Sequence, residues 1–181
     1  MYTFEYEDYQ IETAVDAYSN LISGYADDDN WRYTLVNICN SYIPTLVLSE
    51  GYEMYLLQYE PYEDKLTDVS TLFVRGSFQY DEGNNLIYSS TAGNGYYYWD
   101  VQRMDSYRGL QFIAGFTNEI DSYGVNGCAA TSEGFYNYMT STFDTSNLAV
   151  LSYDDMSSDF SKKEVKKLLE EANYTKQHLY N

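Results

Sequence analysis

The chain has 181 residues, with 28 Asp and Glu against 10 Lys and Arg and a formal net charge of −18. A surface this acidic repels phosphate backbones and anionic headgroups, which excludes direct nucleic-acid binding and docking on an anionic membrane. Apolar residues make up 44% of the chain, with 23 Tyr, 8 Phe and 2 Trp, too much aromatic surface for a chain held disordered by its charge.

The length suits a single domain over 1–181. No stretch reads as a membrane span, and Met1-Tyr2-Thr3-Phe4-Glu5-Tyr6-Glu7-Asp8 is too acidic to open a signal peptide, so the expected location is the cytoplasm. Cys39 and Cys128 are too few for a disulfide framework or a Cys-based zinc site and read as free thiols.

Charge is unevenly spread. Residues 162–181 hold half of all the bases and are net +2, whereas residues 1–161 carry 25 acids against 5 bases. Within them, residues 1–64 hold 13 acids against Arg32 alone.

Along the chain, Ile11, Val15, Tyr18, Leu21 and Ile22 share one helix face, and Gly24 ends that helix. Asp27-Asp28-Asp29-Asn30 offers capping oxygens and negative charge to a second helix over 30–42, on which Trp31, Leu35, Ile38 and Tyr42 repeat at helical spacing. Pro44 stops that helix and suits the first turn of a third, carrying Leu46, Val47, Met54 and Leu57 up to Pro61, with Gly51 as an interruption. Residues 1–64 are thus expected to be an acidic helical part.

From about residue 65 to 153 the texture becomes Thr, Val, Tyr, Phe and Gly, which predicts a mainly β part. Residues 71–80 and 86–90 form a hairpin around Asp81-Glu82-Gly83-Asn84-Asn85, and Ala92-Gly93-Asn94-Gly95 is a further turn. Residues 96–104, 109–116 and 148–153 supply more strands, 132–143 fits helix and strand equally, and 152–161 reads as an exposed acidic connector. Ser161-Lys162-Lys163-Glu164 matches a capping box and opens a C-terminal helix over 161–179 with Val165, Leu168, Leu169 and Ala172 as its apolar stripe. The expected class is α+β: N-terminal helices, a central antiparallel Tyr-rich sheet and a C-terminal amphipathic helix. That basic helix either folds back on the acidic body or meets a second subunit's acidic face, a possible homodimer.

Signals for catalysis are sparse. The single histidine, His178, stands three residues from the C-terminus, and no G-x-S-x-G, G-x-G-x-x-G or phosphate-binding G-x-x-x-x-G-K-[ST] occurs. The Asp triplet is not followed by an EF-hand loop. The reading is a non-enzyme with no cofactor and no metal. A carboxylate pair beside stacking aromatics such as Tyr98 and Trp99 leaves a carbohydrate-active or sugar-binding alternative.

The remaining feature is negative charge interleaved with tyrosine, at residues 2–9 and again at 50–64. Tyrosine gives broad contact area at low entropic cost while carboxylates pair with Lys and Arg, so this pattern suits docking on a basic groove. A solubilising acidic coat around an aromatic core is the other reading. Duplex DNA carries one charge per roughly 1.7 Å of axis, so 20 uncompensated charges match about 34 Å, or about ten base pairs.

Asp27-Asp28-Asp29-Asn30-Trp31, Leu35 to Ile38, Asn40-Ser41-Tyr42-Ile43-Pro44 and Ser49-Glu50-Gly51 with Glu53 resemble the acidic helix, proline corner and second acidic helix of Ocr-type phage antirestriction proteins. That family mimics bent DNA and blocks type I restriction enzymes, and it is helical throughout, unlike residues 66–153 here. The resemblance covers about 30 residues and extends to the broader class of anti-defence proteins that includes anti-CRISPR proteins. It implies that Asp27, Asp28, Asp29, Glu50, Glu53, Glu60, Glu63 and Asp64 stand in for phosphates while Trp31, Leu35, Ile38 and Met54 serve the core. The implied partner is a basic nucleic-acid-binding host protein, a Cas nuclease or restriction enzyme, bound in its groove or elsewhere on its surface.

Overall fold

The structure is a computed structural model that describes residues 8–38, 43–74, 76–81, 85–105, 109–120, 122–142 and 148–179. Cys39 and the 40–42 segment before Ile43 lie outside the described residues, as do 82–84 of the expected hairpin turn and the side chain of His178.

Helix α1 (Asp8–Ile22) buries Ala14, Val15, Tyr18 and Ile22, the face its periodicity marks. A short 3-10 turn, Ser23–Tyr25, follows. Where two more helices are expected, the chain instead forms β1 (Arg32–Val36), β2 (Thr45–Ser49) and β3 (Glu53–Glu60), which continue into β4 (Lys65–Phe73). These four strands make an antiparallel meander in the order β1-β2-β3-β4. The helical spacing of Leu35 and Ile38 is a coincidence of two-sided burial, because Leu35 packs towards α1 while Ile38 packs towards a second sheet. Thr45–Ser49 is buried at all five positions, so its sequence shows no alternation to mark it as a strand.

Pro61 keeps its expected role as a stop, whereas Pro44, expected to end one helix and open another, stands directly before a strand. Pro44 precedes β2, and its carbonyl accepts the Tyr18 hydroxyl at 2.7 Å. Pro61 turns β3 into β4: Glu63 N–H bonds the Glu60 carbonyl at 3.1 Å and Asp64 takes a left-handed φ of 48°.

The second sheet holds β5 (Ser77–Asp81), β6 (Leu86–Gly93), β7 (Tyr96–Asp105), β8 (Gly109–Glu119), β9 (Ser122–Val125), β10 (Cys128–Ala130) and β11 (Ala149–Ser152), ordered β10-β9-β8-β7-β6-β5-β11. The expected strand over 71–80 is divided by Gly76, at φ 92°, between β4 and β5. The β6–β7 turn has Asn94 at φ 49° and Gly95 at φ 87°, the geometry of a type I′ hairpin. Helix α2 (Ser132–Thr142) resolves the ambiguous segment: Phe135 is buried against Phe116, edge to face at 5.7 Å, and the chain then returns as β11 to pair with β5 at the far edge.

Helix α3 (Lys162–Leu179) packs Val165 and Leu169 with α1 and the first sheet. Ser161 Oγ caps it by accepting Glu164 N–H at 3.2 Å, while the Glu164 carboxylate pairs with Lys167 instead of reaching back to the cap. The helix thus folds back on its own body, with Lys162 on Asp16 of α1. Residues before it are not a free connector: Tyr33 and Ser157 exchange backbone hydrogen bonds of 3.0 and 2.8 Å, and Met156 is buried.

The result is α+β in four layers. Helices α1 and α3 cover one face of the first sheet, Val47, Met54 and Leu56 on its other face pack against Phe78, Ile87 and Met104 of the second, and α2 covers part of that sheet's far face. Gly109, at φ 72°, marks a close approach of the two sheets, since a Cβ there would lie 2.8 Å from the Val69 carbonyl oxygen. Gln58 satisfies the buried interior of the first sheet by bonding Thr45 Oγ1 and the Ile43 carbonyl, each at 2.9 Å.

Candidate acidic docking surface

The register of the first sheet sorts the eight carboxylates into two groups. Arg32, at the start of β1, pairs with Ser49 at the end of β2, which in turn pairs with Met54. The turn bearing Asp27, Asp28 and Asp29 therefore lies beside the β2–β3 turn with Glu50 and Glu53. Glu60, Glu63 and Asp64 sit at the opposite end of β3, eight residues long, or about 23 Å away at strand rise.

In the first group the Asp triplet does not cap a helix. Asp28 Oδ1 holds its own turn, accepting Asn30 N at 3.0 Å and Asn30 Nδ2 at 2.9 Å. Asp27 and Asp29 are exposed. Arg32, the nearby cation, donates to the carbonyls of Asp29 and Trp31 at 3.2 and 3.3 Å and sits 5.7 Å from the Tyr153 ring centre. An aromatic ladder supports this end: Tyr25 to Trp31 at 4.5 Å and Trp31 to Tyr55 at 5.8 Å. Tyr55 donates to Glu53 Oε2 at 2.6 Å, and that bond, with burial, pushes its phenol up to about 12. Trp31 thus joins a half-buried ladder at the rim rather than the deep core, whereas Leu35, Ile38 and Met54 are fully interior.

In the second group Asp64 accepts the Tyr59 hydroxyl at 2.6 Å, and burial followed by this bond pushes Tyr59 up to about 12. Glu63 pairs with Lys65. Glu60 is half-buried, with Oε1 enclosed and without a hydrogen-bond partner among the described residues; burial first, then the Glu63 charge, raise its carboxyl above the usual range. Among the described residues, Glu63 is the one carboxylate of the eight that is held in an ion pair.

Tyr25 was not marked by the sequence, since a lone aromatic after Gly24 carries no pattern. The alternation of Glu53 and Tyr55 on one strand face was its nearest signal. Tyr98 and Trp99 do not form one platform: Trp99 lies on the α2 side, stacked on Tyr97 at 5.8 Å, and Tyr98 lies on the other face, donating to Glu119 at 2.9 Å. Cys128 is an exposed free thiol. Among the described residues no three His, Cys, Asp or Glu side chains converge as a metal-binding group, and no helix is long and apolar enough to cross a membrane.

Fold and surface define an α+β protein of two stacked sheets, with five carboxylates outside any ion pair among the described residues at one end of the first sheet and Glu60, Glu63 and Asp64 at the other. Compared with known proteins, the chain matches no family model, no curated protein and no solved structure.

Proposed function

We propose that the protein is a non-catalytic inhibitor of a host DNA-targeting defence nuclease, a CRISPR-Cas or restriction enzyme, whose basic nucleic-acid groove it occupies as an acidic DNA mimic. The supporting observation is that seven of the eight carboxylates lack an ion pair among the described residues and stand in two groups about 23 Å apart, a span of roughly seven base pairs of duplex. Asp27, Asp28, Asp29 and Glu50 are exposed and outside any ion pair among the described residues, and a cationic groove is the partner that gains from such charge through steered association and release of its own counterions. The mimicry rests on charge and spacing; residues 32–36, 45–49 and 53–60 are strands, so the helical scaffold of the antirestriction family does not carry it.

The test is retention from lysate of a bacterium bearing restriction and CRISPR systems. A basic DNA nuclease held at about 100 mM salt, released at about 500 mM and displaced by duplex DNA, is the expected result. Asp27→Asn, Asp29→Asn and Glu50→Gln together weaken the inhibition about tenfold, from roughly 0.5 kcal/mol per exposed charge pair. Recovery of no nucleic-acid enzyme, or inhibition indifferent to salt and to these substitutions, overturns the reading.

A further inference from the structure

Under α2 the second sheet presents two adjacent rows of side chains. One runs Gln79, Tyr88, Val101 across β5, β6 and β7, and the next pairs Trp99 with Phe116 across β7 and β8. Phe135 pins α2 over Phe116 and Trp99, at 5.7 and 6.1 Å. One turn further along the helix, Met139 and Thr140 line a cavity of about 270 Å³ whose other walls include Tyr88, Trp99 and Phe116.

Size and lining define what fits. A cavity of about 150 Å³ lined by apolar side chains takes up benzene, so about 270 Å³ accommodates a fused two-ring aromatic. Three aromatic walls favour a flat ring by stacking and edge contacts, and the Met139 thioether adapts to its outline. Among the described residues no charged side chain lines the cavity, so an ionic ligand would lose its water with no compensating partner there. Polar groups sit on the rim. Gln79 is exposed and its amide has no partner among the described residues, whereas the Thr140 hydroxyl already donates to the Tyr136 carbonyl at 2.8 Å. Gln79 therefore offers a carbonyl oxygen to a ligand N–H or O–H.

We infer that this cavity is a binding site for a neutral, flat, two-ring aromatic molecule bearing one hydrogen-bond donor, of the indole type. It lies on the opposite side of the molecule's sheets from α1 and α3, and it does not rest on the inhibitor reading.

Calorimetric titration of the full chain with indole tests it, with naphthalene and indole-3-acetate as comparison probes. Saturable one-to-one binding of indole is expected. Thr140→Trp, which fills the mouth from an exposed helix position, weakens it about tenfold or more, a loss of at least 1.4 kcal/mol. Met139→Phe, which fills the same space from the adjacent position, serves if circular dichroism shows the first variant misfolded. Gln79→Leu weakens indole about fivefold, the effect of one ordinary hydrogen bond, and leaves naphthalene unchanged. The inference is overturned if neither indole nor naphthalene binds saturably, if both filling variants bind as the parent does, or if the charged acetate binds as tightly as indole.

Discussion

In the four-stranded sheet β2 is buried at all five positions, whereas β7 of the seven-stranded sheet is exposed or half-buried at eight of ten. The first sheet lies between two helices and another sheet, so each face meets apolar partners: Leu46 and Leu48 turn to α1 and α3, and Val47 turns to Phe78 and Ile87. The second sheet is longer and wider than its coverings. Its Tyr-rich strands keep polar and aromatic groups at solvent, with Tyr97 at 51% exposure. The short sheet stores stability, and the wide one carries surface.

The largest expected effect contrasts the two directly. Leu46→Ala, at 0% exposure, is expected to cost about 2–5 kcal/mol from lost burial and the cavity left behind. Val150→Ala, 60% exposed on β11, is expected to stay within about 0.5 kcal/mol. Urea denaturation measures both, and equal costs would break the comparison.

Hydroxyl deletions sharpen it at smaller scale. Tyr18 donates to the Pro44 carbonyl and accepts Tyr59 N–H at 3.1 Å, tying α1 to β2 and β3. Tyr18→Phe leaves buried backbone groups short of a partner and is expected to cost about 1–3 kcal/mol. Tyr98→Phe removes an exposed bond to Glu119 and is expected to cost less than about 0.5 kcal/mol in the same assay.

The smallest effect concerns Glu60. Burial and the Glu63 charge raise its folded-state value above the unfolded one, so between those two values the folded protein binds more protons than the unfolded chain. Stability is highest with the proton on and declines as pH rises through the raised value. Glu60→Gln removes that decline, so the variant gains on the parent as pH rises from the ordinary Glu range through the raised value. Melting temperatures of both proteins across this range check it; a gap that does not widen with pH would show that the burial carries no electrostatic cost.

Local patterns were enough for much of the molecule. Val15 and Tyr18 mark α1, Ser161 and Val165 mark α3, Asn94-Gly95 makes the hairpin turn, and the runs over 86–90, 96–104 and 109–116 become β6 to β8, because a one-sided element writes its period into the chain. The strands β1 to β3 were illegible for the converse reason. Leu35 and Ile38 keep helical spacing yet serve different cores, and only the arrival of α1, α3 and the second sheet gives both faces of that region an apolar partner. The same division holds for the acidic surface. That Asp27, Asp29 and Glu50 are exposed follows from their charge. Asp28 ties its own turn through Asn30 two residues on, which is local. That Glu60 is half enclosed and that the eight carboxylates form two groups rather than one run was decided by packing and strand register, long-range properties that no local composition encodes.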